Sequence, residues 1–174
     1  MYTIFMLLTR DEIVKELQSG NIKITPTLDP SQISVASVDL RLGNHFRVFL
    51  PISESLPVKE NTDYKKYTKE VIREKFMLAP NTTVLGITVE KISLPGNIAA
   101  WIEGRSRFAR LGLLIHISAG LIQPGVNNHQ VLEITNLGPN VLELYAGERI
   151  CQLVFQRVEG SAIYKGRFKD QKTP

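Results

Sequence analysis

Three arginines, Arg105, Arg107 and Arg110, stand within six residues in GRSRFARLGL, and the chain then turns apolar without a break. A guanidinium presents planar, bidentate donors that match phosphate oxygens and keeps its charge near neutral pH. The run therefore suits a triphosphate; a surface turn neutralised by Glu103 and solvent is the other reading of the same residues. In HQVLEITN, 129–136, alternation with period two sends Leu132 and Ile134 to one face and Val131, Glu133 and Thr135 to the other. A carboxylate beside Val131 would be desolvated, which disfavours its charged form and suits a group that accepts and donates protons near neutral pH. An ordinary solvent-facing strand glutamate has the same pattern. In HISAGLIQPG, 116–125, small Ser118, Ala119 and Gly120 let a ligand approach backbone amides and carbonyls, and Gln123-Pro-Gly predicts a turn, so a glycine-containing hairpin is expected. His116, set among Leu113, Leu114, Ile115 and Ile117, reads as a structural histidine.

These segments need a scaffold, and the rest of the chain indicates which. Thr9-Arg10-Asp11-Glu12 predicts an N-cap with an acid at N3, and Ile13, Val14 and Leu17 supply an apolar stripe before Gly20, so one short helix opens the fold. Asn21 to Thr25 and Ser37 to Leu42 alternate, and short β-rich segments then recur between turn signals at Ala79-Pro-Asn, Leu94-Pro-Gly-Asn, Gln123-Pro-Gly, Gly138-Pro-Asn and Ala146-Gly-Glu. That spacing predicts a mostly antiparallel β-sandwich or barrel. Between Pro51 and Lys75 the pattern fails, and a charged insertion crowded with Lys65, Lys66, Lys69, Arg73 and Lys75 is expected as a solvated loop or helix face.

At 174 residues, 43% hydrophobic and 22% charged, the chain forms a single domain over 1–174, with Lys165 to Pro174 polar enough for a mobile tail. Its net charge of +4 leaves nucleic acid, nucleotide or no anion open. Cys151 is the only cysteine, which excludes an intrachain disulfide and a cysteine-rich metal site and fits a reducing compartment. The apolar opening MYTIFMLL has no basic n-region and is too short for a signal peptide, and no run reaches membrane-spanning length. A cytoplasmic protein with no membrane partner is expected, Met6 being a candidate natural start.

Taken in order, LTRDEIVKELQSGNIKITP, ISVASVDLRLGNHFRVF, EGRSRFARLGLLIHISAGLIQPG, VLEITNLG, AGERICQLVF and YKGRFKDQ resemble the deoxycytidine triphosphate (dCTP) deaminase branch of the trimeric deoxyuridine triphosphatase (dUTPase) superfamily. The resemblance implies a distorted antiparallel β-barrel with a short N-terminal helix, assembled as a homotrimer whose active sites lie between subunits. It implies dCTP as substrate and dUTP as product, dTTP as a candidate feedback ligand, and no nucleic-acid partner. Glu133 falls at the family's catalytic glutamate, and Arg105, Ser106, Arg107, Phe108, Ala109 and Arg110 on its nucleotide-binding run. Gln123, Val131 and Leu132 match further nucleotide contacts, and Tyr164, Arg167 and Gln171 match a C-terminal lid, 165–174. Arg107 stands where a second serine is common, Gln123 where aspartate is usual, Asn128 in place of a turn glycine, and Arg167 in place of lysine.

The chemistry implied needs no metal held by the protein, because the zinc deaminases require an H-x-E and P-C-x-x-C set that one cysteine cannot supply. Glu133 would move the protons, Ser106 with backbone near Ala119 would hold the water, and Arg110 would hold Glu133. Arg105 and Arg107 would serve the phosphates, Mg²⁺ arriving with the triphosphate. Two alternatives stand beside dCTP deamination: a dUTP diphosphatase, alone or combined with it in one site, which Gln123 disfavours because an amide cannot act as a base; and a nucleotide-binding trimer without catalysis.

Overall fold

A computed structural model describes residues 6–174; of the apolar opening, residues 1–5 lie outside the described residues. Helix α1 (Arg10–Gln18) begins after Thr9, which takes the N-cap place without a side-chain cap hydrogen bond. Glu12 turns to Lys15 and Arg157 instead, and Ile13 is driven into the core. The chain continues through β1 (Lys23–Thr25), β2 (Val38–Arg41), β3 (His45–Phe49), β4 (Thr68–Ile72), β5 (Lys75–Leu78), β6 (Thr82–Ser93) and β7 (Ile98–Gly104). After the short helix α2 (Ser106–Ala109) come β8 (Leu113–Ile115), β9 (Leu121–Ile122), β10 (Asn127–Asn136), β11 (Leu142–Tyr145) and β12 (Arg149–Arg157).

All pairings among these strands are antiparallel. One sheet has the order β4-β3-β6-β10-β8 with β1 also on β6, a second the order β2-β12-β7-β9, and β11 and β5 form a ribbon. Phe46, Val84, Ile92, Leu132 and Ile134 from the first sheet share one apolar core with Val38, Leu40, Ala100, Ile102, Leu153 and Phe155 from the second. Mainly β structure is as the turn spacing predicts. The closed barrel is not: among the described residues the sheets stay open. They meet at the Leu42–Thr88 bridge, and their outer strands β8 and β9 have only three and two residues. Strands so short cannot carry a ladder round to close a ring.

Two further expectations are corrected. The segment from Pro51 to Lys75 is not all loop, because β4 pairs along β3 from His45↔Ile72 to Phe49↔Thr68; its exposed Lys69 and Glu70 mask the alternation, as befits an edge strand. Residues 116–120 are not a hairpin turn. β8 pairs with β10 and β9 with β7, so this stretch carries the chain from one sheet to the other, and His116 takes φ +59° at the departure point. Buried charge is paired: Glu90, fully shielded from solvent, accepts from Arg41 Nε at 2.7 Å and from Gln32 Nε2 at 3.0 Å, which offsets part of the cost of burying a carboxylate.

Candidate active site

Strand alternation along β10 behaves as the sequence indicates: Leu132 and Ile134 are fully buried, while Val131 and Glu133 face a cavity of about 430 Å³. Asn128 and Gln130 share that wall, His116, Ala119, Leu121 and Gln123 form the next, and Tyr164, Phe168 and Gln171 close it from the tail. Gln123-Pro-Gly makes the predicted turn, with Val126 N donating to Gln123 O at 3.3 Å and Gly125 at φ +76°. Tyr64 from the charged insertion completes the lining, a residue no sequence signal marked. Burial raises its phenol above the ordinary tyrosine value, opposed by the Arg47 charge, so at neutral pH it is a hydrogen-bond donor.

Within the single chain Glu133 is held by His116. Nδ1 of His116 and Oε2 of Glu133 lie 2.9 Å apart, and neither atom has another partner among the described residues. The backbone repeats the link, His116 N donating to Glu133 O at 2.8 Å, while Nε2 lies 2.8 Å from the Ala119 carbonyl. Burial alone would lower the imidazole pKa, but the adjacent Glu133 carboxylate, with the Ala119 carbonyl, outweighs it and raises the group above the ordinary histidine value. The imidazole is 9% exposed and the carboxylate 34%, so an ion pair sits at the cavity floor with one flank open to a reactant. The structural histidine of the sequence reading thus touches the candidate base. Its left-handed φ, which only the chain's passage between sheets requires, is what aims it there.

The β10 edge supplies backbone groups as well. Glu133 O takes the His116 N–H, and His129 exchanges bonds with the tail, its N donating to Gln171 O at 3.3 Å and its O accepting from Gln171 Nε2 at 3.0 Å. Antiparallel alternation turns the N–H and C=O of Val131 to the same edge as those of Glu133, between these two occupied positions, where they can read a planar amide. Leu132, expected as a nucleotide contact, buries its side chain in the core and could serve only through its backbone. Asn128 does not occupy a left-handed turn: it lies in β10, and its Nδ2 donates to Phe168 O at 2.6 Å, clipping the tail down.

The arginine run stands apart from this cavity in the single chain. Arg105 precedes α2, and its Nη2 lies 3.0 Å from Asp39 Oδ2 while Nη1 donates to Arg149 O at 2.8 Å. Burial raises the Asp39 carboxyl above its ordinary value, with Arg105, Arg149 and Arg107 pulling the other way. Ser106, Arg107, Ala109 and Arg110 are exposed, Phe108 packs against the core, and none of the six lines the cavity. Neither Arg107 nor Arg110 has an ion-pair partner among the described residues. Arg167 lines a neighbouring cavity, and Tyr164 and Gln171 line the one that holds Glu133.

A mainly antiparallel fold of two open sheets is a known architecture. The structure of 2'-deoxycytidine 5'-triphosphate deaminase from Agrobacterium tumefaciens superimposes with a TM-score of 0.71 over 89% of this chain at 21% identity. This chain spans 50% of that one, and the likeness is one of fold. Residues 7–158 match the family model described as dCTP deaminase-like, and the chain belongs to that family. Similar relatives include a "dCTP deaminase, dUMP-forming" of Kocuria rhizophila, 36% identical over 97% of this chain and 92% of that protein. Another of that name, from Methanosphaera stadtmanae, is 39% identical over 86% and 78%, and a "dCTP deaminase" of Marinomonas is 40% identical over 90% and 86%.

Proposed function

We propose that this chain deaminates dCTP to dUTP and ammonia, with Glu133 as the proton carrier. The observation that carries the reading is Glu133 on the cavity floor, ion-paired to His116 on one side and open to a reactant on the other. Glu133 takes a proton from a bound water, the hydroxide adds to C4 of cytosine, and the proton passes to N3. The tetrahedral carbon then expels ammonia as the carboxylate moves the hydroxyl proton to the leaving nitrogen, leaving C4=O and N3–H. Val131 backbone groups would hold the base edge, and Gln123 would meet the sugar. No step calls on a metal held by the protein; Mg²⁺ enters as part of the nucleotide.

Among the described residues no lysine or arginine lines the cavity that holds Glu133, and the exposed Arg107 and Arg110 have charge to add beside it. A homotrimer in which each run faces a neighbour's cavity joins the two, with Ser106 beside the water and Arg110 beside developing charge. Exposed Leu111, Ile117, Leu137 and Val141 supply apolar surface for such contacts. Arg105, fixed to Asp39, would set the run's direction. The test is purified protein with dCTP and Mg²⁺, separating dUTP, dUMP and ammonia. Ammonia released one for one with dCTP consumed is expected, and consumption without ammonia would overturn the proposal.

A second reading, deamination followed by hydrolysis to dUMP in the same site, is favoured by the relatives called dUMP-forming. Gln123 speaks against it, since its amide lines the cavity where a carboxylate would align the hydrolytic water.

A further inference from the structure

Three side chains stand where two cavities meet. Beside the candidate active site lies a second cavity of about 490 Å³, lined in part by Lys65, Arg167 and Lys172, and Tyr64, Phe168 and Gln171 line both. The partition is built from two distant segments. Tyr64 begins a tight helical turn, Tyr64–Tyr67, in the insertion, and Phe168 and Gln171 belong to the tail. The turn is anchored: Thr68 Oγ1 donates to Tyr64 O at 3.1 Å, and the buried Arg47 donates Nε to Thr68 Oγ1 at 3.0 Å. The tail is tied to the insertion by Arg167 Nη1 donating to Glu60 O at 3.3 Å, and to β10 through Asn128 and His129. The half-buried Tyr64 ring is thereby held at the boundary, while its hydroxyl makes no hydrogen bond among the described residues.

The charges beyond the boundary are available. Asp63 caps the turn by accepting from Lys65 N at 3.1 Å, and Asp170 lies 3.9 Å from Lys169 Nζ. Neither Lys65 nor Lys172 has an ion-pair partner among the described residues, and Arg167 bonds only a carbonyl. A nucleotide with its base near Glu133 has a chain of anions to place, and this boundary leads from a largely apolar space to one where Lys65, Arg167 and Lys172 outnumber the carboxylates Asp63 and Asp170.

We propose that Tyr64 is a nucleotide-binding residue, its hydroxyl donating to the phosphate nearest the sugar, and that Lys65 and Lys172 take the outer phosphates together with Arg167. The proposal rests on the reading that the first cavity receives the base of a deoxycytidine nucleotide. It gives the charged insertion a function: the insertion would supply the fixed side of a phosphate channel and the tail the closing side.

The experiment measures dissociation constants of deoxycytidine, dCMP and dCTP by equilibrium dialysis for the full-length parent, Tyr64→Phe and a Lys65→Met/Lys172→Met variant, with dCTP turnover and melting temperature on the same preparations. Tyr64→Phe keeps the ring, so the fold should hold. It should leave deoxycytidine binding unchanged and weaken dCMP and dCTP alike by about tenfold, as expected for one hydrogen bond to a charged group. The double lysine variant should weaken dCTP while sparing dCMP. Tyr64→Phe equal to the parent for all three ligands, or weaker for deoxycytidine by the same factor, would overturn the role of Tyr64. A parent that neither binds nor deaminates dCTP would overturn the underlying reading as well, so the two failures are distinct.

Discussion

Replacing Glu133 by glutamine separates catalysis from structure, because the amide keeps the size of the side chain and loses only the ionisable group. Positioned proton transfer contributes about 10²–10⁴ in rate, a barrier increase of roughly 3–5.5 kcal/mol when it is lost. The structural loss is far smaller. The contact with His116 spans 2.9 Å between two atoms shielded from water, but glutamine keeps an amide oxygen for that imidazole, so the loss is limited to about 0.5–1 kcal/mol. For a chain of this length that is a fall in melting temperature of about 1–4 °C. Because Val131 backbone groups and Gln123 remain, dCTP should still bind. The assay is ammonia release at saturating dCTP and Mg²⁺, with dissociation constant and melting temperature taken from the same preparation. Ammonia release at the parent rate would refute Glu133 as the proton carrier. Loss of activity together with a melting temperature lowered by about 10 °C or more would refute the argument that the pair is a minor structural contact.

Three further outcomes follow from the same geometry. His116→Asn keeps the left-handed backbone, which asparagine tolerates, and removes the imidazole. Since the fold raises the His116 pKa, its stabilising pairing is full below the ordinary histidine value and is lost as pH rises through the folded value. The melting-temperature gap between parent and variant should therefore narrow from about pH 6 to about pH 9, and a widening gap would contradict this. Gln123→Asp should raise the initial dUMP-to-dUTP ratio formed from dCTP, measured by chromatography; an unchanged ratio would show that the carboxylate at 123 does not govern hydrolysis. Gly112→Ala places a Cβ 2.6 Å from Gly138 N at φ +83°, so it should cost at least about 2 kcal/mol, and a melting temperature equal to the parent's would refute that close approach.

What could be read from residues alone was local. Period-two alternation placed Leu132 and Ile134 in the core and Glu133 on the other face, because a strand's side chains alternate whatever lies across from them. Gln123-Pro-Gly marked a turn, and the apolar stripe of Ile13, Val14 and Leu17 marked a helix, although Glu12 then paired with Lys15 and Arg157 instead of completing a capping box. β4 was hidden because an edge strand needs only one apolar side, and its lysine and glutamate read as loop. The hairpin expected over 116–125 failed because turn residues do not say which sheet the next strand joins.

Sequence by itself determined the residue types that can bind anions and carry protons, the β character of the chain and its membership in a family. Tertiary structure alone decided their partners. His116 meets Glu133 because the chain changes sheets with a left-handed residue, Arg105 is taken up by Asp39 from another strand, and Tyr64 reaches the cavity through an insertion whose composition signalled only solvation. The physical reason is common to all three: side-chain identity is a local property of the chain, whereas ion pairs and cavity walls depend on distances between segments, set by packing the whole core.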